Sequence, residues 1–214
     1  MRKVLSKINS TSISCVNNVT GRFPFDVSAE SALEGIRLGN HKSQIELVRA
    51  AYETGGKEAA AKLKKKLPAF LFSGRFNERN DDGILQHSGI LVADLDELER
   101  PIPEFRAELQ EDHHVLFCFL SPTGSGLKVG FKVPADSEKH KASFEAVRAY
   151  MKQKYGEDID SSCKNLSRLC FTSYDRELWV NWKAQELEVS DFATPAVCEG
   201  DEEETVFNET VNQF

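Results

Sequence analysis

The chain has 214 residues, 40% of them hydrophobic, with a formal net charge of −7; that is enough to bury a core as one large domain or a domain with a tail, and it holds no apolar run long enough to span a bilayer. The acidity is local: Glu199, Asp201, Glu202, Glu203, Glu204 and Glu209 lie in a C-terminal stretch with no Lys or Arg, and setting these six aside leaves 28 acids against 27 bases. The body is therefore near neutral, a balance that argues neither against nucleic acid nor for it, while the segment 191–214 reads as a disordered acidic tail or linker.

The first residues lack the apolar stretch of a secretory signal. The five cysteines (Cys15, Cys118, Cys163, Cys170, Cys198) are odd in number and form no CxxC pair. Both features point to reduced thiols in the cytoplasm, no membrane and no structural zinc.

Residues 1–26 read as extended, with a turn at Thr20-Gly21 and Pro24 limiting any helix. Ser28 is a predicted N-cap for a helix through Leu38, ended by Gly39-Asn40. Ser43 opens a second helix with Ile45, Leu47, Val48 and Tyr52 on its apolar face, stopped by Gly55-Gly56. A third, Lys57 to Lys66, ends in the basic run Lys62, Lys64, Lys65 and Lys66. Lysines at a helix C-terminus are favoured by the dipole, so this run is either a helix end or a phosphate-binding patch.

From Ala69 the pattern turns to strands: Ala69 to Ser73, then a polar loop from Arg75 to Asp82 carrying Arg75 and Arg79, then Ile90 to Asp96. Side chains alternate along a strand, so Asp94 and Asp96 project from one face. Two like charges side by side repel unless a cation sits between them, and hard oxygen ligands suit Mg²⁺ or Mn²⁺. The plainer alternative is two solvated carboxylates where a strand meets a loop.

A helix follows from Pro103 to Gln110, a buried strand from Val115 to Leu120, a Ser/Gly turn over residues 121–126, and a strand in which Leu127, Val129, Phe131 and Val133 face one way and Lys128, Gly130 and Lys132 the other. The turn is not a P-loop: Leu127 separates Gly126 from Lys128, no Ser or Thr follows, and the next element is a strand. It is either a hairpin approaching a ligand, with Lys128 reaching the same place, or an ordinary turn. A long amphipathic helix is predicted over residues 137–155. Asp160 and Arg168 then precede a strand from Leu169 to Asp175, and Trp179 and Trp182 fall in a final strand and short helix.

The order of these segments resembles the catalytic core of the archaeo-eukaryotic primase (primase-polymerase) superfamily, and more closely the VirE N-terminal primase-like domains of mobile-element and phage replication proteins. The resemblance rests on Lys66-Leu67-Pro68-Ala69 with Phe72-Ser73-Gly74, on Ser88-Gly89-Ile90 through Asp94-Leu95-Asp96, on Ser121 through Lys128, and on Asp160 through Ser167-Arg168 to Ser173-Tyr174-Asp175.

The resemblance implies an α+β fold at residues 27–190, with a helical subregion at 27–67 and a mixed-sheet core at 68–190 flanked by helices. It implies a metal-dependent DNA primase or primase-polymerase that uses Mg²⁺ or Mn²⁺, NTPs or dNTPs and a single-stranded DNA template, beside a helicase-like ATPase partner domain. Asp94, Asp96 and Asp160 take the metal-binding, catalytic positions, with Asp175 as runner-up for the third acid. Ser125, Gly126, Lys128 and Arg168 take nucleotide-binding positions, Lys128 standing where most members carry a histidine. Lys64, Lys65, Lys66, Arg75 and Arg79 would contact the nucleic acid backbone. Two other functions use the same residues: a non-catalytic nucleic-acid-binding replication module, and a nuclease-type phosphotransferase.

Overall fold

The computed structural model describes residues 11–96 and 98–188; the expected acidic tail lies outside the described residues, as do the first ten residues of the N-terminal segment. β1 (Ser12–Val16) and β2 (Phe25–Ser28) form an antiparallel hairpin. Ser28 ends β2 and caps α1 (Ala29–Leu38), its Oγ accepting the Ser31 N–H at 3.1 Å. That contact satisfies one of the free donors of the first turn. Gly39, at φ 79°, supplies the left-handed residue that ends the helix.

α2 (Lys42–Lys64) is helical on both sides of Gly56, whose φ of 65° and ψ of −160° break it where the Gly55-Gly56 pair predicts a stop. Ile45 and Val48 before the break share a buried cluster with Ala60 and Leu67 after it. Both α1 and α2 fall within residues 27–67.

The core is built from β3 (Ala69–Leu71), β4 (Gly74–Phe76), β5 (Ile84–His87), β6 (Ile90–Leu95), α3 (Ile102–Gln110), β7 (Val115–Leu120), β8 (Leu127–Lys132), α4 (His140–Tyr155), β9 (Cys170–Phe171) and β10 (Trp179–Val180). The fold is α+β. One sheet runs β2-β1-β3-β9, a second β10-β7-β8-β6, and β4 pairs with β5.

A mixed sheet is expected from the resemblance, yet these strands pair antiparallel throughout; the one parallel pairing among the described residues is an isolated bridge between Lys132 and Glu186. Short connections such as the 121–126 turn suffice for antiparallel neighbours, whereas parallel ones need long crossovers.

The β10-β7-β8-β6 sheet is the middle layer. On one face, Leu91, Ala93 and Leu95 of β6 and Leu127, Val129 and Phe131 of β8 pack on Phe105 and Leu109 of α3 and on Phe144, Val147 and Met151 of α4. On the other, Ile90, Leu116, Phe117 and Phe119 meet Ile13, Phe70 and Phe72 of the first sheet and Leu33 and Ile36 of α1. Phe105, Phe117, Phe119, Phe131 and Phe144 are fully buried, and each contributes about 2–3 kcal/mol of transfer free energy.

Because the apolar residues of β6 and β8 claim the helical face, their alternate residues, Asp94, Lys128 and Gly130, are sent to the face that looks toward β9. Gly130 is needed there: a Cβ on it would lie 2.4 Å from the Phe117 ring.

Several expectations change in detail. The polar loop after β3 contains a β-hairpin, β4-β5, around a 3-10 turn at Asp81–Gly83. The predicted strand from Leu169 to Asp175 shortens to Cys170–Phe171, and no helix follows Trp182 among the described residues.

Candidate functional site

The register of β6 and β8 sets Asp94 directly opposite Lys128. Their side chains meet as an ion pair, 15% and 7% exposed, and the Lys128 Nζ lies 4.0 Å from Asp96 Oδ1. Both carboxylates thus reach one cation from one face, as the spacing of two along the chain requires. They differ in setting: Asp94 is enclosed, while Asp96, just past the strand end, is 55% exposed. Burial pushes the Asp94 carboxyl up from its ordinary range, against the pull of Lys128. Burial also works against the Lys128 ammonium, but Asp94 and Asp96 outweigh it and its pKa is raised.

Asp160 arrives on the chain after α4. Its backbone N–H donates to the Asp94 carbonyl at 3.2 Å, and its side chain caps the 3-10 turn Ser161–Lys164 by accepting the Ser162 N–H at 2.9 Å. The Ser162 hydroxyl donates to the same carboxylate, and Arg168 pairs with it at 3.0 Å. Burial works against the charge on Asp160, but the Ser162 bonds and Arg168 prevail and hold its pKa below the usual carboxylate range.

An oxygen of Asp94, an oxygen of Asp160 and the Cys163 sulfur lie within 4.8 Å of one another. Nothing in the sequence pattern marks Cys163, whose thiol burial raises to about 11; its sulfur is a soft donor beside two hard carboxylate oxygens.

Beside these acids opens a cavity of about 450 Å³, lined by Asp94, Asp96, Lys128, Arg168, Lys64 and Arg79 among others. Lys64 comes from the end of α2 and lies over the Phe171 ring at 5.6 Å; burial, and then the nearby Lys128 charge, lower its pKa. Arg79 is fixed by donating from Nε to the Gly21 carbonyl at 3.1 Å and from its N–H to the Arg22 carbonyl at 2.9 Å. This brings the β1–β2 connection to the cavity wall, where Val19 also lines it. Ser167 anchors the Arg168 loop by donating from N and Oγ to Asp81 Oδ1 at 2.9 and 2.6 Å.

Other expected site residues are held elsewhere. Arg75 pairs with Asp26 at 2.7 Å, and Lys65 and Lys66 are exposed outside the cavity lining. Ser125 bonds to Thr123 within its own turn. Gly126 is a close-approach residue for the chain itself, since a Cβ there would lie 2.1 Å from the Leu95 carbonyl oxygen.

Asp175 is not a third metal acid. It is 3% exposed, salt-bridged to Arg106 at 2.9 Å, and accepts the Leu120 N–H at 2.8 Å and the Glu177 N–H at 3.0 Å. It also lies outside both the Asp94–Asp160–Cys163 group and the cavity lining.

The donor set fits a hard divalent cation on its oxygen side: Asp94 and Asp160 are close enough to share one ion, with Asp96 as an exposed neighbour. Four cations, Lys64, Arg79, Lys128 and Arg168, line the cavity, two of them paired with acids of the site, Lys128 with Asp94 and Arg168 with Asp160.

A model of the family described as BT4734-like, N-terminal domain, matches residues 62–179, just over half of the chain and the stretch that supplies the site's charged residues, from Lys64 to Arg168. No curated protein and no solved structure matches the chain. No helix among the described residues is long and apolar enough to cross a membrane.

Proposed function

The chain belongs to the BT4734-like N-terminal domain family, and for this member we propose a metal-dependent nucleotidyl transfer on a single-stranded DNA template, of the primase or primase-polymerase type. The observation that carries the reading is the convergence, in one cavity, of Asp94 and Asp96 with Lys64, Arg79, Lys128 and Arg168.

Phosphoryl transfer asks a protein mainly for positioning and charge neutralisation. In this reading Lys128 and Arg168 bind the triphosphate, Lys64 and Arg79 hold the template or primer backbone, and Asp94, Asp96 and Asp160 hold Mg²⁺ or Mn²⁺. A bound divalent ion would stabilise the charge developing on the attacking and leaving oxygens. Ser162 and Arg168 keep the Asp160 carboxylate ionised and aimed toward Asp94. A site mounted on two hydrogen-bonded strands is rigid enough for such alignment. A helicase-like ATPase partner belongs to the same proposal and would act on the DNA ahead of this domain.

One observation favours a second reading. Lys128 already serves as counter-ion to Asp94, an arrangement that suits a module which binds nucleic acid without polymerising. Crosslinking of a labelled nucleoside triphosphate in Mn²⁺ separates the two readings. Labelling of wild type that disappears in Asp96→Asn and Arg168→Ala supports the enzyme; DNA binding without nucleotide labelling supports the module. DNA cleavage without added nucleotide would replace both with a nuclease.

A further inference from the structure

The residue that completes the carboxylate site also obstructs it. Lys128 is nine-tenths buried, its position opposite Asp94 is imposed by the strand register, and its ammonium lies against Asp94 and 4.0 Å from Asp96. A divalent ion bound by Asp94 and Asp160 would sit beside this ammonium, and like charges so close repel strongly where water is scarce. The free carboxylate site is thus already neutralised from within.

Lys128 also lines the adjoining cavity with Lys64, Arg79 and Arg168, where an anion would lie. A lysine has a flexible four-carbon stem and three donors that rotate freely, so it can turn from a carboxylate to a phosphate in a way a guanidinium fork cannot.

We infer that Lys128 is an internal cation gate: it holds Asp94 until a polyphosphate in the cavity takes over its ammonium, so that divalent metal and polyphosphate enter the site cooperatively. The inference rests on the reading of the cavity as a triphosphate site and specifies how that site is regulated. Each ligand removes an obstacle to the other: the polyphosphate frees Asp94, and the metal releases Lys128 for the phosphates. Coupling of this kind is reciprocal and commonly spans 5- to 150-fold. A practical consequence is that metal alone binds weakly, which protects an enzyme from idle occupation of its carboxylates.

The test uses the full chain and two probes measured separately, so that chelation between them in solution does not intervene. Mn²⁺ alone, followed by the loss of its free spin-resonance signal, should bind Lys128→Met about tenfold more tightly than wild type. Inorganic triphosphate alone, titrated calorimetrically with chelator present, should bind Asp94→Asn about tenfold more tightly than wild type, and by a wider margin than Asp96→Asn, which removes the same charge without removing the direct partner.

Equal Mn²⁺ affinity in wild type and Lys128→Met would overturn the gate. So would a gain in Asp94→Asn no greater than in Asp96→Asn, which would reduce the effect to net charge. If Lys128→Met does not fold, the two aspartate variants decide the matter. Triphosphate that binds none of these proteins would instead remove the nucleotide reading itself.

Discussion

Lys128 and Asp94 stand opposite each other in the β6–β8 register and meet as an ion pair inside the protein, where their side chains are 7% and 15% exposed. Removing one member strands the other charge, which typically costs about 3–5 kcal/mol, whereas removing both costs far less. Lys128→Met should therefore lower the unfolding free energy by roughly 3 kcal/mol. The double variant Lys128→Met/Asp94→Asn should recover most of that loss. Urea denaturation of the four proteins in the cycle measures the coupling, and additive single effects would show that the pair is not a unit.

A second buried pair, Arg106 with Asp175 at 2.9 Å, is structural. Asp175→Asn should destabilise the chain by about 3 kcal/mol or more, because Arg106 is left buried without its counter-charge. Nucleotide labelling per folded molecule should be unchanged. A selective loss of metal binding with stability intact would return Asp175 to the metal site.

Gly126 holds the turn against the end of β6, with no room for a Cβ beside the Leu95 carbonyl oxygen. Gly126→Ala must push these backbones apart, at a cost of about 1–3 kcal/mol, and should displace Asp96, the next residue. Thermal unfolding should show the lower stability, and Mn²⁺ affinity should fall with it. An alanine tolerated in both measurements would mean that the turn is free to shift.

Acid sensitivity is expected from a buried histidine pair. The Gly89 N–H donates to His87 Nδ1 at 3.1 Å, so His87 carries its proton on Nε2 and donates it to His140 Nδ1 at 3.0 Å. Burial lowers His87 and, with the neighbouring ring's charge adding, lowers His140 to about 4. A base whose folded pKa lies below its unfolded value stabilises the protein fully above the unfolded pKa, near 6.5, and less as pH falls toward the folded one. For His140 this is worth on the order of 3 kcal/mol. The stability advantage of wild type over His140→Phe should therefore shrink between pH 7 and pH 4.5 in denaturant titrations. A difference independent of pH would show that the pair does not titrate with folding.

Local chemistry made much of this structure legible. The Ser28 cap, the Gly39 and Gly56 breaks and the alternation of β8 each depend on residues adjacent in the chain, and each is where the pattern predicts it. Asp94 and Asp96 share a face for the same reason.

What the pattern could not convey was pairing. The β4-β5 hairpin hid in a polar stretch because it has few apolar anchors, Phe76 and Ile84, and is otherwise held by Ser14, Asp26 and its own pairing. Asp175 resembled a site acid until its partner, Arg106, far away in sequence, was in place. Arg79 joined the cavity only through its bonds to the β1–β2 connection. The fold class follows from the elements, whereas the ion pairs that decide which charges are free belong to the tertiary structure.

The central claim is that Asp94 and Asp96 serve nucleotide addition. It is tested most directly by primer synthesis and primer extension on single-stranded DNA with Mn²⁺ or Mg²⁺ and mixed NTPs and dNTPs, using wild type beside Asp94→Ala/Asp96→Ala. Wild type should give product and the folded double variant none. Product retained in the double variant, or no product from a folded wild type that binds DNA and nucleotide, would contradict it.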